Sequence, residues 1–157
     1  MRYLKKNNFK WEYLEDAELT GAYDMPELMS VHDVDIHDAV PFNLLRSEKH
    51  PENKWGHCYT YDYQFERLWN NAWRYLDLLK RFKGMIGPDF SILLNMPAAQ
   101  QIWNCWRNKV LTWFFSKQRS PDNPECWIQR RDELWLGIRW YSREKRAGGD
   151  QSGLHGP

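Results

Sequence analysis

The stretch that decides the fold is HCYTYDYQFERLWNNAWRYLDLLKRFKGMIGPDF, residues 57–90. Its first five residues, 57–61, are rich in aromatic side chains and follow Gly56, which is typical of a short β-strand. Apolar residues then recur every three or four positions over residues 64–83, and this spacing predicts an amphipathic helix with one buried face. The residues of that face are Phe65, Leu68, Trp69, Ala72, Leu76 and Leu79. Gly84 suits the end of the helix, and residues 84–87 form a second short apolar run.

The same order repeats towards the C-terminus. Asp89 follows the second apolar run, and a second helix is predicted to begin near Asn95, with Asn95 as its N-cap and Pro97 in its first turn. The apolar face of this helix comprises Ile102, Cys105, Trp106, Val110, Trp113 and Phe114, and residues 107–109 interrupt it on one side only. Asp62 and Asp89 are separated by one strand and one crossover helix, which predicts parallel strands. The sequence therefore predicts an α/β fold of repeated strand–helix units with a short parallel sheet, either open or part of a truncated barrel.

Three regions of different composition are predicted. Residues 1–40 are acidic and irregular, and we expect a lead-in with one short helix at residues 25–30. Residues 41–118 form the α/β domain, which opens with Pro41 and a polar loop at residues 47–54 before the first predicted strand. Residues 119–157 are rich in Arg, Trp, Gly and Pro, and we expect a tail that is poorly structured or helical by chance over residues 127–146.

Composition excludes some classes of protein. The chain has 157 residues, of which 42% are hydrophobic and 27% charged, as in globular domains. A net charge of +1 argues against non-specific nucleic-acid binding by the domain as a whole. The three cysteines form no CxxC pair, which is typical of reduced cytosolic thiols. No apolar run is long enough to cross a membrane, so a cytoplasmic protein without membrane contact is the expectation.

The candidate site consists of two acidic residues at the ends of the two predicted strands. Loops that follow parallel strands emerge at one edge of the sheet, where ligands collect. Asp62 and Asp89 would therefore face one site, as an acid–base pair or as ligands of a divalent cation. Residues predicted to support them are Asn43, Gln64, Ser91 and Asn95. The alternative, that both aspartates serve only as helix caps or turn residues, is the commoner role for Asp in these positions.

A second group of polar residues resembles a metal-ligand set. The segment VHDVDIHD, residues 31–38, places His32, Asp33, Asp35, His37 and Asp38 close together. Metal sites usually need a fixed turn and a remote ligand, so a solvated acidic loop is the preferred interpretation. We predict no metal site here, and the sequence identifies no cofactor.

Four segments carry a family resemblance. PFN (residues 41–43), YDYQFERLWNN (61–71), GPDFSILLNMP (87–97) and QIWNCWRNK (101–109) occur in this order. Together they resemble an uncharacterised bacterial and phage family, the domain-of-unknown-function 4417 family, over about residues 41–118. The resemblance implies a repeating strand–helix architecture and carries no activity, cofactor or substrate.

The chain departs from the family pattern at Gln118, after which the resemblance implies a DGIP element and a terminal Gly-Cys. Back-translation of residues 119–157, read one nucleotide later, permits a product that contains both elements. Tryptophan has a single codon, so Trp127, Trp135 and Trp140 all become glycine in that frame. We therefore predict a frameshift near Gln118, in the gene or in its assembly, and a truncated, inactive and aggregation-prone product.

For the intact family, the sequence leaves two classes of function open. The first is an enzyme that uses Asp62 and Asp89. The second is an interaction module of a mobile element, with nucleic acid or protein as partner and with tryptophans as anchors: Trp69, Trp73, Trp103 and Trp106. Exposed aromatic residues would favour the module, whereas buried aromatic residues beside clustered aspartates would favour the enzyme.

Overall fold

The computed structural model describes residues 10–28, 34 and 36–118, together with the backbone of Trp127 and Ile128. Its elements are two antiparallel strands, β1 (Leu19–Thr20) and β2 (Met25–Pro26), then four strands of one sheet and three α-helices. The sheet contains β3 (Ala39–Pro41), β4 (Trp55–His57), β5 (Gly84–Ile86) and β6 (Trp127–Ile128). The helices are α1 (Asp62–Asn70), α2 (Leu76–Leu79) and α3 (Ala98–Lys117). Four 3-10 helices connect them: Trp11–Leu14, Phe42–Ser47, Pro51–Asn53 and Ala72–Tyr75.

The sheet is parallel, as predicted. Its strand order is β3-β4-β5-β6, and each neighbouring pair is parallel, so the chain crosses over between strands through the helical segments. Residue Trp55 of β4 is paired with Ala39 of β3 and with Gly84 of β5. The described strands form an open four-stranded sheet and no closed barrel.

The strands begin and end at other residues than predicted. The strand expected at residues 57–61 is β4, which ends at His57, because the Thr60 N–H donates to the Cys58 carbonyl at 2.7 Å and turns the chain away from the sheet. The sheet also begins one strand earlier than predicted, with β3. A three-residue strand such as β3 is too short to show the alternation that marks a strand in sequence.

The predicted helix at residues 64–83 is three shorter segments. Asn71 leaves helical geometry, with φ −155° and ψ 81°, and its side chain accepts a hydrogen bond from the Arg74 N–H. Asparagine competes well for backbone donors in this way, so the helix ends and a new turn begins. The predicted apolar stripe is nevertheless correct, since Phe65, Leu68, Trp69, Ala72 and Leu79 are buried and Leu76 is partly buried.

Helix α3 begins later than predicted. Its first residue is Ala98, and Pro97 is the capping residue, whose carbonyl accepts from the N–H groups of Gln100 and Gln101. Asn95 is exposed and lies outside the helix, so its predicted role as N-cap was wrong. Pro97 has φ −53° and ψ 137°, and its fixed φ suits a helix entry without a side-chain cap.

Residues predicted as an irregular lead-in pack onto α3. Tyr13 and Leu14 are buried in the main core, and the Tyr13 hydroxyl accepts a hydrogen bond from the Ala72 N–H at 3.0 Å. At the C-terminal end of α3, the Lys117 ammonium donates to the Asp16 carboxylate at 2.7 Å. Of the short helix predicted at residues 25–30, Met25–Pro26 is strand β2 instead, and residues 29 and 30 lie outside the described residues.

The core lies between the sheet and the helices α1 and α3. Its largest fully buried side chains include four phenylalanines and several aliphatic residues: Phe65, Phe90, Phe114, Phe115, Leu45, Leu68, Met85 and Leu111. Burial of each such side chain contributes about 1.5–3 kcal/mol to stability. Many of the described aromatic side chains are thus part of the core.

One strand comes from the region predicted as a tail. Backbone pairing joins Met85 to Trp127 and Ile86 to Ile128, so β6 extends the parallel sheet. The chance helix predicted over residues 127–146 is therefore wrong for its first two residues, and the remaining ones lie outside the described residues. Within the described part of the chain, no helix is both long enough and apolar enough to span a membrane.

Candidate functional site

The predicted site lies at the carboxyl edge of the sheet, where two loops are joined by a side chain. Asp62 is the first residue of α1, and its carboxylate accepts hydrogen bonds from Ser91, which follows β5 in the chain. The Ser91 N–H lies 3.1 Å from Oδ2, and the Ser91 hydroxyl lies 2.9 Å from Oδ1. These bonds fix the orientation of the Asp62 carboxylate and hold the loop after β4 against the loop after β5.

Asp89 lies two residues before this junction and is half-buried. Its negative charge reaches Cys58, where burial and then the Asp89 carboxylate raise the pKa of the thiol. Gly87, between β5 and Asp89, has φ +89°, a left-handed conformation that strains any residue with a side chain. The turn at Gly87 therefore directs Asp89 back towards the residues that follow β4.

Two side chains of helix α3 form hydrogen bonds with the backbone of the loop after β5. The fully buried Asn108 side chain accepts from the Phe90 N–H at 2.8 Å and donates to the Phe90 carbonyl at 3.2 Å. One turn earlier, the Asn104 amide donates to the Ser91 carbonyl at 2.7 Å. Two side chains of one helix thus bind three backbone groups of this loop.

Arg107 belongs to the same polar stripe of α3. Its Nη1 group donates to both oxygens of the Glu66 carboxylate, at 2.7 and 2.9 Å, and Nη2 donates to the Asn104 amide oxygen. The guanidinium carbon lies 3.7 Å from the centre of the Phe90 ring. These contacts join α1 to α3 and combine an ion pair with a cation–π contact.

Sequence reasoning missed this stripe. Arg107 and Asn108 were interpreted only as an interruption on one side of an apolar face, but both are buried. The available signal was the spacing of Asn104, Arg107 and Asn108, which places three polar side chains on one helix face at positions i, i+3 and i+4.

The predicted supporting residues differ in their positions. Ser91 binds Asp62 directly, whereas Gln64 lies on α1 and accepts a hydrogen bond from the Thr60 hydroxyl at 2.8 Å. Asn43 lies in the 3-10 helix after β3 and is exposed, and Asn95 is exposed before α3. The structure thus brings Asp62 and Ser91 together.

The acidic segment at residues 31–38 is described only in part. His32, Asp33 and Asp35 lie outside the described residues, and Asp38 forms an ion pair with Lys54 at 3.4 Å. Across residues 10–28, 34 and 36–118, no group of three or more His, Cys, Asp or Glu side chains is arranged to hold a metal ion.

Exposed aromatic rings border the same edge. Tyr59, Tyr61 and Tyr63 are exposed and alternate with Thr60, Asp62 and Gln64 along the chain. His57 and Tyr59 have ring centres 5.5 Å apart, and the Tyr61 and Tyr63 rings stack with an interplanar angle of 15°. We call His57, Tyr59, Tyr61 and Tyr63 the aromatic row.

The two described cysteines are not suited to nucleophilic chemistry. Burial raises the pKa of Cys58 far above its usual range and that of Cys105 to about 11. We expect neither thiol to react with iodoacetamide in the native protein at about pH 8, because the thiolate is the reactive form. Peptide mass spectrometry should find both labelled only after denaturation, with Cys126 scored separately. Rapid native labelling of Cys58 would contradict this expectation.

His57 gives the fold a defined pH dependence. Burial lowers its pKa below 6.5, and its neutral Nδ1 atom accepts a hydrogen bond from the Tyr59 N–H at 3.2 Å. The unfolded chain therefore binds this proton more readily, and stability is lost as the pH falls through the unfolded value of His57 towards the lower folded value. We expect the free energy of unfolding in urea to fall between about pH 7.5 and about pH 5.5.

The variant His57→Gln should show a smaller decrease over the same pH range. His50→Gln is the matched control, because His50 is exposed and lies outside the sheet, and it should behave as the native protein does. An equal pH dependence in His57→Gln and the native chain would exclude this role of His57.

The fold and site define a class: an open parallel α/β domain whose acidic and aromatic side chains meet at the carboxyl edge of the sheet. The chain belongs to the family described as domain of unknown function DUF4417, whose family model matches residues 17–135. The resemblance inferred from four segments is thereby confirmed. The match begins before the predicted domain start at Pro41 and continues past Gln118.

Two phage proteins are similar to this chain. It is 34% identical over 94 residues to the "Gene 1 protein" of Mycobacterium phage L5 and 28% identical over 111 residues to the "Gene 1 protein" of Mycobacterium phage D29. These alignments cover 59% and 69% of this chain and 41% of each phage protein. The chain therefore spans about two fifths of the length of these relatives. No solved structure matches it.

Proposed function

We propose that the carboxyl edge of the sheet is an acid–base catalytic site in which Asp62 and Asp89 supply the two carboxyl groups. The observation that carries this proposal is the junction between Asp62 and Ser91, since it brings the two strand-end loops together two residues from Asp89. Acid–base catalysis needs one group to accept a proton and a second to donate one, both held in fixed positions. The orientation of Asp62 by two donors supports its use as the fixed proton acceptor.

The supporting shell is built in a way that suits a catalytic site. Asn104 and Asn108 hold the loop that carries Asp89 and Ser91, and Arg107 joins the same helix to α1, which carries Asp62. Side chains that are locked by buried hydrogen bonds keep reactive groups within the narrow tolerance that catalysis requires. In the structural alternative, Asp62 serves only to tie the two loops together through the same Ser91 bonds. That alternative predicts a normal phenotype for a folded variant without the two carboxyl groups.

A genetic test distinguishes the catalytic role of Asp62 from the structural one. Asp62→Asn and Asp89→Asn should be introduced together at the corresponding positions of an intact member of the family, beside a deletion and the control Asp77→Asn, which is an exposed residue of α2 in this chain. We expect the double variant to reproduce the deletion phenotype while its protein remains folded by circular dichroism, and Asp77→Asn to behave as the native gene does. A normal phenotype for the folded double variant, where the deletion has one, would refute the proposal.

A second candidate, an interaction module for nucleic acid or protein, is favoured by two exposed tryptophans. Trp73 and Trp103 are exposed, whereas Trp69 is buried and Trp106 is partly buried against the core. Only two of the four predicted anchors are therefore available to a partner. Quenching of tryptophan fluorescence by a single-stranded oligonucleotide, lost in Trp73→Ala/Trp103→Ala, would support this candidate.

We also propose, from the back-translation of residues 119–157, that the reading frame changes near Gln118 and leaves this copy truncated and inactive. Sequencing of the gene and of homologous DNA tests it directly. An unbroken frame through Arg119 in the homologous DNA would contradict the frameshift.

A further inference from the structure

Three exposed arginines lie on helical segments that pack against one another. Arg46 belongs to the 3-10 helix after β3, Arg67 to α1 and Arg74 to the 3-10 helix after α1. Two buried aromatic rings connect these segments, since the centres of the Phe42 and Tyr75 rings are 5.6 Å apart. We call Arg46, Arg67 and Arg74 the arginine surface.

The two rings hold two of the guanidinium groups in place. The guanidinium carbon of Arg67 lies 5.1 Å from the centre of the Phe42 ring, and that of Arg46 lies 5.8 Å from the centre of the Tyr75 ring. Cation–π contacts of this kind restrain a long side chain, so it loses less conformational entropy when it binds a ligand. The two positive charges are therefore positioned over neighbouring rings before a ligand binds.

Carboxylates do not neutralise the arginine surface. In the part of the chain that the structure describes, none of its three guanidinium groups forms an ion pair with Asp or Glu. Arg67 donates through Nε to the Gln64 carbonyl at 2.8 Å, which leaves its two Nη groups for a ligand. Guanidinium groups without a carboxylate partner are suited to paired hydrogen bonds with the oxygens of a phosphate.

The net charge of +1 averages over an uneven distribution of charge. Residues 67–83 contain one acidic residue, Asp77, and the preceding Glu66 is bound by Arg107. The same segment contains five basic residues, all of them exposed: Arg67, Arg74, Lys80, Arg81 and Lys83. The low net charge argues against nucleic-acid binding by the domain as a whole, but it leaves room for one positively charged face.

We infer that the arginine surface contacts the phosphate backbone of double-stranded DNA. The repeated phosphates of a duplex supply the negative charge and the paired oxygen atoms that guanidinium groups recognise. Phe42 and Tyr75 are only 4% and 6% exposed, so these rings cannot stack with the bases of a single strand. Contact through phosphates alone suits a duplex and makes binding independent of base sequence. The inference goes beyond the catalytic proposal and uses neither Asp62 nor Asp89.

Fluorescence anisotropy of a labelled, mixed-sequence DNA duplex, titrated with the full chain at several salt concentrations, tests the inference. Each phosphate contact contributes about one unit to the slope of log affinity against log salt concentration. We expect Arg46→Gln/Arg67→Gln to reduce this slope by about two units and to weaken binding at least about tenfold at low salt. Arg74→Gln should reduce the slope by about one unit. Arg46→Lys/Arg67→Lys keeps both charges and should keep the slope.

The matched control is Lys109→Gln/Lys117→Gln, which removes the same charge from α3 and should bind the duplex as the native chain does. Absence of duplex binding by the native chain overturns the inference, as does an equal loss of binding in the control and in Arg46→Gln/Arg67→Gln. Equal affinity for polyglutamate overturns the DNA assignment in favour of an acidic peptide. Thermal unfolding checks that each variant keeps the fold, which substitutions at exposed positions should allow.

A single strand of the same sequence distinguishes this inference from the second candidate function. Binding of the single strand alone, kept in Arg46→Gln/Arg67→Gln and lost in Trp73→Ala/Trp103→Ala, overturns the inference and supports that candidate. The genetic test of Asp62 and Asp89 is independent of both results, because neither aspartate is changed in these variants.

Discussion

Replacement of Asn108 by alanine is expected to destabilise the domain by about 3 kcal/mol, since a buried backbone donor and acceptor each cost about 1–3 kcal/mol when left unpaired. Both partners belong to Phe90, whose N–H and carbonyl are bound by the Asn108 side chain. The truncation also leaves a cavity beside fully buried residues of the core. Urea unfolding followed by circular dichroism measures the change.

Two further variants sharpen this prediction. Asn108→Asp keeps an acceptor for the Phe90 N–H, loses the donor and buries a charge, so it should destabilise at least as strongly as alanine does. Asn95→Ala makes the same chemical change at an exposed position and should alter stability by less than about 0.5 kcal/mol. A loss below about 1 kcal/mol in Asn108→Ala would show that the loop is held by other contacts.

Replacement of Gly84 by alanine is the second large effect we expect, with a loss of about 3 kcal/mol from overpacking. Gly84 pairs with Trp55 across the sheet, and a Cβ atom at Gly84 would lie closer than 3.0 Å to three atoms of the Trp55 indole. The indole is buried and rigid, so neither residue can move without displacing a strand.

A matched glycine separates crowding from backbone strain. Gly21 has φ +76° and no atom within 4 Å of an added Cβ, so Gly21→Ala should cost only about 1 kcal/mol from its left-handed conformation. Trp55→Leu should partly restore stability in the Gly84→Ala background, and a double-mutant cycle measures this coupling. If the two substitutions lower stability in a strictly additive way, the steric clash does not lie between Gly84 and Trp55.

Much of the fold could be predicted from local patterns. The apolar spacing of α1 and α3 and the strand–Asp–helix order led to a parallel sheet, because these signals lie within a few residues of one another. The break at Asn71 was missed because a single side-chain hydrogen bond to Arg74 outweighs the continuing apolar stripe. Strand β3 was missed because its three residues are defined by their neighbour β4 rather than by their own alternation.

The candidate site was predictable only in part. Asp62 and Ser91 were named from their places after predicted strands, which is a consequence of parallel topology. The buried polar stripe of α3 depends on partners far along the chain, since Arg107 binds Glu66 and Asn108 binds Phe90. Before those partners are known, a charged residue inside an apolar helix is more naturally assigned to solvent.

The dependence of the loop after β5 on Asn108 also sets an order of events during translation. Strands β3, β4 and β5 and helix α1 leave the ribosome before α3, and a chain stopped there carries Asp62, Asp89 and Ser91 without the helix that holds their loop. Domains form as their segments emerge from the N-terminus onwards, so α3 completes what the earlier segments begin. The candidate site is therefore completed late in synthesis, although its acidic residues are among those made earlier.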